Sequence, residues 1–294
     1  MITYSATIAD HGRRMDSFVR SILPAASVSY LRQILKGGSV LLNDAPATPD
    51  QLLRFSDTIA LKETSRIRSL LVPRTNGPDI LYEDDDVAIF NKPAGLSVHR
   101  SAEHGIRNLV DTGIAFFGRR GIELKLYPVN RLDRETSGLV LLAKSSAKAG
   151  AFGKLFQEGL VEKRYLTVVS GKTAESGVID LPLDEKESRS EFRTLCTRKG
   201  VSILSVTPIT GRSHQIRRHL SSIGHPVMGD LRYGGKRNRE LGSHALHSYR
   251  LAFPHPVCGA PLSIFAPLPQ EFAGYLSRIL DGEIVPLLDA LLAG

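Results

Sequence analysis

The segment "NRLDRETSGLVLLAK", residues 130–144, joins a cluster of charged side chains to a continuous apolar run. Arg131, Asp133, Arg134 and Glu135 place four charges within six residues. The apolar run has the length and composition of a strand buried on both faces. A carboxylate held beside such a rigid strand could act in catalysis, because small displacements of a catalytic group lower the rate by large factors. The same pattern fits an aspartate that only forms a structural ion pair with Arg131 or Arg134.

Two further segments carry side chains that could assist a catalytic carboxylate. In "TGRSHQIRRHL", residues 210–220, Arg217 could offer a carboxylate a bidentate guanidinium partner and keep it ionised. In "EKRYLTVVSG", residues 162–171, Tyr165 opens a β-branched strand. A tyrosine at such a place usually packs through its ring and leaves its hydroxyl in water. These side chains form one site with Asp133 only if the fold brings the three segments together.

The elements that must hold these side chains indicate a mixed α+β domain. From residue 79 onward, strand-like runs alternate with shorter helical segments such as "SAKAGAFGKLFQEGL", residues 146–160. Neither a regular βαβ order nor an internal repeat is present, which favours a mostly antiparallel sheet. An amphipathic segment near the C-terminus, "QEFAGYLSRIL", is expected to cover the core.

A separate small α/β unit is predicted at the N-terminus. "SYLRQILKGG", residues 29–38, predicts a helix that begins at an N-cap on Ser29 and carries Arg32 and Lys36 together on its polar face. "SVLLND" and "DTIAL" predict the strands that follow. A basic stretch without periodicity comes next and reads as a linker. The predicted organisation is a module over 1–61 with its core in 13–61, a linker over 62–78 and a catalytic domain over 79–294.

Composition limits the class of protein. With 42% hydrophobic residues, a chain of 294 residues can bury one large core and a smaller one. Lysine and arginine number 38 against 30 acidic residues, and the net charge of +8 suits a polyanionic partner or an ordinary basic protein. Cys196 and Cys258 lie far apart, and His214 and His219 lack an HExxH motif, so no disulfide framework or metal site is predicted. The chain has neither a signal peptide nor a membrane-spanning apolar run, so we expect a cytoplasmic protein without a membrane partner.

Six segments resemble, in order and at compatible spacing, the RluA-type family of RNA pseudouridine synthases. Together they extend from residue 79 to about residue 270 and are far more specific than any one of them alone. The segments are "NKPAGLSVH" (91–99), "NRLDRETSGL" (130–139), "KRYLTVVSG" (163–171), "GRSHQIRRHL" (211–220), "GHPVMGDLRYG" (224–234) and "HALHSYRLAFPHP" (244–256). The resemblance implies a catalytic domain of the pseudouridine synthase type.

The resemblance also implies a role for each candidate residue. Asp133 corresponds to the catalytic aspartate of the family, and Arg131 to the arginine that enters the RNA helix as the target base leaves. Tyr165 and Arg217 match the tyrosine and the arginine of two further family motifs. The family usually has a histidine where this sequence has Asn130. We expect Asn130 to shape the loop rather than to transfer protons.

The N-terminal unit resembles the small RNA-binding module named after the fourth small-subunit ribosomal protein. We therefore expect its basic residues, and those of the linker, to contact RNA phosphates, in contacts that weaken steeply with salt. These residues are Arg13, Arg14, Arg20, Arg32 and Lys36, with Arg66 and Arg68 of the linker. In the second charged segment, His214 and Gln215 are also expected to contact RNA.

The reaction implied by the resemblance is an isomerisation within the RNA. The bond from ribose to a uracil ring nitrogen breaks, the base turns, and a ring carbon joins the same sugar. Because no electron or group leaves the RNA, we expect neither a cofactor nor a metal. Asp133 could attack the sugar or remove a proton from the neighbouring ribose carbon, and Tyr165 could take or relay the ring proton. The base must first be flipped into a closed, largely dry pocket.

The substrate is expected to be structured RNA, with large-subunit ribosomal RNA favoured over transfer RNA. Related enzymes with an N-terminal module of this kind often act on ribosomal RNA. "VHRS", residues 98–101, and "HQIRRHL" instead resemble members that act on transfer RNA. A non-catalytic RNA-binding protein would have no use for three catalytic side chains, and a nucleoside glycosidase usually needs two carboxylates. We expect the enzyme to be a monomer.

Overall fold

The computed structural model describes residues 1–71, 78–99 and 108–293. Within these ranges the chain forms a four-stranded sheet, a ten-stranded sheet and eight α-helices. One pair of described strands is parallel and the others are antiparallel, which confirms the predicted α+β class with a mostly antiparallel sheet. No described helix is both long enough and apolar enough to cross a membrane.

The four-stranded sheet lies in the N-terminal part of the chain, together with three helices. The elements are β1 (Ile2–Ser5), α1 (Met15–Ile22), α2 (Val28–Lys36), β2 (Val40–Leu42), β3 (Ala45–Pro46), β4 (Thr58–Leu61) and α3 (Ser65–Leu70). The strands are arranged in the order β1-β4-β2-β3. Their apolar side chains form one buried cluster with those of the helices, and Phe18, Leu31 and Ile59 lie within it.

Three details of this part differ from the sequence-based expectation. Ser27 caps α2 in place of Ser29, since the Ser27 hydroxyl accepts a hydrogen bond from the Tyr30 amide at 3.2 Å. β1 is not predicted, yet it pairs with β4 along its whole length. Residues 65–70, which the sequence assigns to a linker, form α3 and bury Ile67 in the N-terminal cluster.

The ten-stranded sheet forms the larger part of the molecule and carries the remaining helices. The elements are β5 (Asp79–Glu83), β6 (Val87–Lys92), α4 (Leu109–Arg119), β7 (Tyr127–Pro128), β8 (Ser137–Ala143), α5 (Ser146–Gln157), β9 (Glu162–Ser170), β10 (Ser176–Asp180), β11 (Arg189–Arg198), β12 (Val201–Pro208), α6 (Gln215–Ser222), β13 (Leu246–Pro254), β14 (Pro261–Phe265), α7 (Gln270–Ile279) and α8 (Val285–Ala293). The main order is β10-β11-β12-β9-β13-β8-β6-β5. β14 pairs with β13, and β7 pairs with β8.

β8 is an interior strand of this sheet, and all of its residues are buried. It runs antiparallel to β6 and parallel to β13. Leu139 and Leu141 join an apolar cluster on one face of the sheet, while Val140 and Leu142 join a cluster on the other. Burial on both faces is the reason for the continuous apolar run that follows the charged segment.

Gly138 allows β8 and β13 to approach each other closely. Its φ of +112° lies in a region that other residues rarely adopt. A Cβ atom at this position would lie 2.2 Å from the carbonyl oxygen of Ser248 on β13. The parallel pairing joins Ser137 to His247 and Gly138 to Ser248, so this glycine fixes the start of β8.

Helix α1 is joined to β5 of the larger sheet by buried polar contacts. The Arg13 guanidinium donates to both carboxylate oxygens of Asp79, at 2.7 and 2.9 Å. The Ser17 hydroxyl donates to the carbonyl of Ile80 at 2.9 Å. One turn further on, Arg20 pairs with Glu83, with 2.6 Å between Nη1 and Oε2. These contacts hold the N-terminal elements against the edge of the ten-stranded sheet.

The burial of Arg13 and Arg20 corrects the expectation that they contact RNA phosphates. Both side chains are buried, and each is neutralised by a carboxylate of the larger sheet. Burial disfavours the charged form of Arg13, but Asp79 and Asp10 outweigh it and raise the pKa of the guanidinium. The sequence pattern of an exposed basic face therefore misidentifies these two residues, because their partners are distant in sequence.

Glu83 is the centre of the contact between the two parts of the chain. Besides Arg20, its carboxylate pairs with Arg120 at 2.9 Å and with Lys144 at 3.0 Å. Burial alone would raise the pKa of Glu83, but the three cations lower it below its ordinary value. A single buried carboxylate thus holds cations from α1, from the end of α4 and from the end of β8.

Replacing Gly138 with alanine is expected to destabilise the fold strongly. Backbone strain and the clash with Ser248 together are expected to lower the free energy of unfolding by about 3 kcal/mol or more. Gly150→Ala is the matched control, because Gly150 lies on exposed α5 with no atom near an added Cβ, and it should stabilise by about 0.5–1 kcal/mol. Urea denaturation of both variants measures the difference, and equal midpoints would contradict the close approach of β8 and β13.

Candidate active site

Asp133 and Arg217 form an ion pair beside the N-terminal end of β8. Asp133 lies in the loop before β8, and Arg217 lies on α6. The Arg217 Nη1 donates to Oδ2 of Asp133 at 2.9 Å. The Asp133 side chain is 26% exposed, whereas that of Arg217 is 9% exposed. The carboxylate is therefore anchored by Arg217 and remains partly exposed.

Asp230 holds the opposite side of Arg217. Its carboxylate accepts hydrogen bonds from Nε at 2.7 Å and from Nη2 at 2.8 Å, and its side chain is only 1% exposed. Burial opposes the charge of Arg217, but hydrogen bonds to Asp230 and Asp133 raise its pKa well above the ordinary value. Burial would raise the pKa of Asp230, yet the guanidinium outweighs it and lowers that pKa. Arg217 is thus fixed by one buried carboxylate while it presents Nη1 to the other.

Lys92 fixes the loop that carries Asp133. Its side chain is fully buried at the end of β6, and its ammonium donates to the carbonyls of Pro93, Leu96 and Arg134 at 2.8–2.9 Å. Burial lowers the pKa of Lys92 to about 7, although nearby carboxylates partly oppose the shift. Gly95 also holds this loop through two hydrogen bonds to Arg134. Its amide donates to the Arg134 carbonyl, and its carbonyl accepts from the Arg134 guanidinium.

Asn130 ties the start of the same loop to β8. Its amide nitrogen donates to the carbonyl of Leu139 at 3.2 Å, and its Oδ1 accepts from the amide of Leu141 at 2.8 Å. The side chain thereby fixes the backbone one residue before Arg131. Such a two-sided contact with the strand agrees with a role in loop shape.

Tyr165 lies on β9, next to Ser248 of β13 in the sheet. Its ring is partly buried and packs against the apolar clusters on both sides of it. Burial raises the pKa of Tyr165 to about 12; contact with Ser248 lowers it in part, and the negative charge of Asp133 raises it further. The phenol therefore stays protonated at neutral pH and lies within the electrostatic influence of Asp133.

His214 contacts the same carboxylate from another direction. Its Nε2 lies 3.7 Å from Oδ1 of Asp133, and its Nδ1 is hydrogen-bonded to the Tyr233 hydroxyl at 2.8 Å. Its φ of +54° places it in the left-handed region just before α6. Burial lowers the pKa of His214, although the charge of Asp133 partly opposes this. His214 thus lines the site next to Asp133 and is uncharged at neutral pH.

Gln215 does not occupy the RNA-facing position that the sequence suggests. It is buried, its carbonyl accepts from the Thr210 hydroxyl and the Arg212 amide, and its amide group donates to the Arg189 carbonyl and the Ser190 hydroxyl. With all of these contacts made inside the protein, Gln215 fixes the turn before α6.

Two buried histidines form hydrogen bonds to side chains at the start of β8. His244 Nε2 is hydrogen-bonded to the Thr136 hydroxyl, and His247 Nδ1 to the Ser137 hydroxyl, each at 2.8 Å. Burial lowers the pKa of both rings to about 4. They are neutral at neutral pH, so they position the start of β8 without adding positive charge beside Arg217.

The remaining predicted RNA-binding residues differ in exposure. Arg131 is exposed at the mouth of the site, and Arg32 and Lys36 are exposed on α2. Arg14 is only partly exposed and pairs with Asp16 at 2.7 Å. The first three are free to meet a polyanion, whereas Arg14 is already neutralised by its own helix.

The three candidate catalytic residues therefore lie together, and several supporting residues were not predicted. The Asp133 carboxylate accepts a hydrogen bond from the fixed guanidinium of Arg217 and acts electrostatically on the protonated phenol of Tyr165. Sequence reasoning missed the supporting groups, although most of them fall within the quoted family segments. These are Lys92, Asp230, Tyr233, His244 and His247.

Comparison with known proteins identifies the family of the chain. The sequence profile of the family described as RNA pseudouridylate synthase matches residues 86–222. The uncharacterized RNA pseudouridine synthase YjbO of Bacillus subtilis is 32% identical, over 84% of this chain and 91% of its own. A protein of Xylella fastidiosa named ribosomal large subunit pseudouridine synthase D is also 32% identical, over 92% of this chain and 90% of its own.

The chain belongs to the RNA pseudouridine synthase family. It is an enzyme, an isomerase that converts uridine in RNA to pseudouridine. Among solved structures, human RNA pseudouridylate synthase domain containing 4 has the same fold, with a TM-score of 0.58 and 24% identity. That similarity covers 68% of this chain and 92% of the human one.

Asp230→Asn is expected to lower the catalytic rate of this pseudouridine synthase without lowering its affinity for RNA. Loss of the charge releases Arg217 on one side, and the displacement of Asp133 that follows should lower the rate at saturating RNA by about 100-fold. Single-turnover rates and RNA affinity, measured separately, check this expectation. RNA affinity should stay near that of the wild type, because Asp230 is buried.

Asp184→Asn is the matched control for this variant. Asp184 binds the neighbouring Arg218 in the same bidentate way, at 2.8 and 3.0 Å, but on the outer surface. Its loss should leave the rate unchanged. A wild-type rate for Asp230→Asn, in protein whose thermal melt is intact, would contradict the positioning of Arg217 by Asp230.

Proposed function

We propose that Asp133 is the catalytic carboxylate of this pseudouridine synthase and that the enzyme modifies uridines of large-subunit ribosomal RNA in the cytoplasm. The observation that carries the catalytic assignment is the asymmetry around Asp133. One oxygen accepts from Arg217 at 2.9 Å, while the side chain remains 26% exposed toward the mouth of the site. The arrangement differs from that of Asp230, which is only 1% exposed and binds Arg217 through both of its oxygens.

The reaction requires an ionised carboxylate beside the sugar. Asp133 either attacks the anomeric carbon as the bond to the ring nitrogen breaks, or removes the proton from the adjacent ribose carbon to leave a glycal. In both cases the base rotates and its ring carbon bonds to the anomeric carbon. In the first route this displaces the Asp133 oxygen from the sugar, and in the second the proton held by Asp133 returns to the adjacent ribose carbon, so both routes regenerate the carboxylate. Arg217 supports both routes, because its fixed positive charge stabilises the ionised carboxylate.

Tyr165 is proposed to relay a proton rather than to act as a phenolate base. After the new bond forms, the ring carbon carries a proton that must leave. Because the pKa of Tyr165 is raised to about 12, a phenolate is scarce at neutral pH. The protonated phenol can still accept a proton on oxygen as its own proton moves on to a neighbour, and the nearby Asp133 is such a neighbour.

Arg131 is proposed to occupy the gap that the target base leaves in the RNA helix. A stacked uridine cannot reach Asp133, so it must flip out at a free-energy cost of a few kcal/mol. Arg131 is exposed two residues before Asp133, on the loop fixed by Asn130 and Lys92. A cation held this close to the carboxylate can fill the gap and meet phosphates at the same time.

Ribosomal RNA is favoured as the substrate by the relatives of the chain. The protein of Xylella fastidiosa and one of Neisseria meningitidis, 31% identical over 90% of this chain, are both named ribosomal large subunit pseudouridine synthase D. The alternative of transfer RNA rests on two sequence segments. One of them, residues 98–101, lies partly outside the described residues.

The N-terminal elements are proposed to form an RNA-binding module of the type named after the fourth small-subunit ribosomal protein. Residues 1–61 contain one apolar cluster of their own and place Arg32 and Lys36 together on the exposed face of α2. The proposed division keeps 62–78 as the connection and 79–294 as the catalytic domain. Because α3 packs on the N-terminal cluster, its residues belong structurally to the module, not to the connection.

Release of tritium tests the catalytic assignment. Large-subunit ribosomal RNA transcribed with tritium on the uracil carbon that forms the new bond should lose label to water with the wild-type enzyme. Asp133→Asn should lower the rate by at least about a thousandfold. Glu135→Gln is the control, because it removes a half-exposed carboxylate from the same loop and should keep the wild-type rate.

Full activity of Asp133→Asn would refute its catalytic role. Label released only from transfer RNA transcripts would leave the chemistry standing and overturn the choice of substrate. Absence of release from either RNA with the wild-type enzyme would contradict the proposed function as a whole.

The double variant Arg32→Ala/Lys36→Ala tests the RNA-binding module. Two lost phosphate contacts should raise the dissociation constant for RNA about tenfold at moderate salt and flatten its salt dependence. The control, Arg119→Ala/Lys125→Ala, removes two exposed cations of the larger unit, beyond the far end of β8. Filter binding at several salt concentrations measures the effect, and identical slopes for both variants would refute the module's role.

A further inference from the structure

A short segment beside the active site carries an unusual number of unpaired cations. Arg232, Lys236, Arg237 and Arg239 are all exposed. Most described arginines elsewhere form ion pairs. Within the described ranges, these four cations have no carboxylate at ion-pair distance, and the nearby Glu240 is engaged by Arg278 at 3.0 Å. So many like charges in eight residues repel one another, and a polyanion would relieve the repulsion.

This segment begins at the wall of the active site. Tyr233 is hydrogen-bonded to His214, and its ring lies 5.0 Å from the guanidinium carbon of Arg217. Arg217 in turn holds Asp133. The Arg232 guanidinium lies 5.6 Å from the same ring. The first cation of the segment is therefore separated from the catalytic carboxylate by one aromatic ring and one guanidinium.

Both ends of the segment are held firmly to the rest of the protein. At the start, the amide of Gly229 donates to the Lys236 carbonyl at 2.9 Å and the amide of Gly235 donates to the Asp230 carbonyl at 2.7 Å. A Cβ atom on Gly235 would lie 2.0 Å from the Val227 carbonyl oxygen, so the turn there is tight. At the far end, Arg278 of α7 holds Glu240. The cations thus lie on a segment that passes through a tight turn beside Asp230.

We propose that residues 232–239 form a phosphate-binding rim, which grips the RNA backbone on either side of the flipped uridine. The inference rests on the proposed function, since it assumes that the uridine reaches Asp133. A nucleotide that enters the site brings its own phosphates to the mouth, where an unpaired cation can neutralise them. Phosphate contacts of this kind fix the position of the strand without reading its sequence.

The rim is distinct from the cations of the N-terminal module. Arg32 and Lys36 lie on α2, whereas the rim is continuous with Asp230 and Tyr233 of the site. The module would hold RNA at a distance from the target, and the rim would hold the strand that carries it. Loss of the rim should therefore weaken affinity while the chemical step in a fully bound complex stays intact.

The test uses the full chain and unmodified large-subunit ribosomal RNA made by transcription. Arg237→Ala/Arg239→Ala removes two rim cations that contact no residue of the catalytic group. We expect the dissociation constant to rise about tenfold at moderate salt and the salt slope to fall by about one to two units. The single-turnover rate at saturating RNA should equal that of the wild type. Arg119→Ala/Lys125→Ala again serves as the control of equal charge and should leave both quantities unchanged.

Two results would contradict the proposal that the rim binds RNA phosphates. One is an affinity and salt slope equal to those of the wild type, which would assign these cations to another partner, such as an acidic protein. The other is a lower rate at saturating RNA with unchanged affinity, which would place the segment in the chemistry instead. A wild-type enzyme that binds this RNA but releases no tritium would refute the proposed function, and the binding comparison would still decide the role of the rim.

Discussion

The active site depends on one arginine shared between two carboxylates of unequal burial. Arg217 is held by Asp230 through two hydrogen bonds, and it offers a single Nη1 to Asp133. Removing a guanidinium from water is unfavourable unless its charge is balanced, and the almost fully buried Asp230 supplies that balance. Arg217 can therefore orient Asp133 through one hydrogen bond without surrounding its carboxylate with positive charge.

Three of the titratable side chains near Asp133 and Arg217 are uncharged at neutral pH. His244 and His247 have pKa values lowered to about 4 by burial, and Tyr165 has one raised to about 12. At neutral pH none of the three carries a charge that would compete with Arg217 for Asp133. The hydrogen bonds of the two histidines instead fix the start of β8, where Gly138 brings the backbones of β8 and β13 close together. Packing and neutral hydrogen bonds thus set the position of β8, while Arg217 supplies the positive charge beside Asp133.

The sequence predicts the candidate active site better than the surface that surrounds it. The buried strand after Asp133 follows from its continuous apolar run, and the approach of Arg217 and Tyr165 follows from family resemblance. Asp230 escapes such reasoning, because nothing in the local pattern distinguishes a carboxylate that anchors an arginine from one in a surface turn. Recognising it requires the contact with Arg217, which lies 13 residues earlier on a different element.

The same limit applies to the cations of the N-terminal helices, with a consequence for how RNA is selected. Arg13 and Arg20 look like Arg32 and Lys36 in sequence, but Asp79 and Glu83 of β5 bury the first pair and leave the second exposed. Leaving an arginine buried without its carboxylate is strongly unfavourable, so these pairs hold α1 against the larger sheet. An RNA that reaches both α2 and Asp133 must fit one fixed spacing. If α2 binds RNA as proposed, these ion pairs would contribute to selection by RNA shape without touching the RNA.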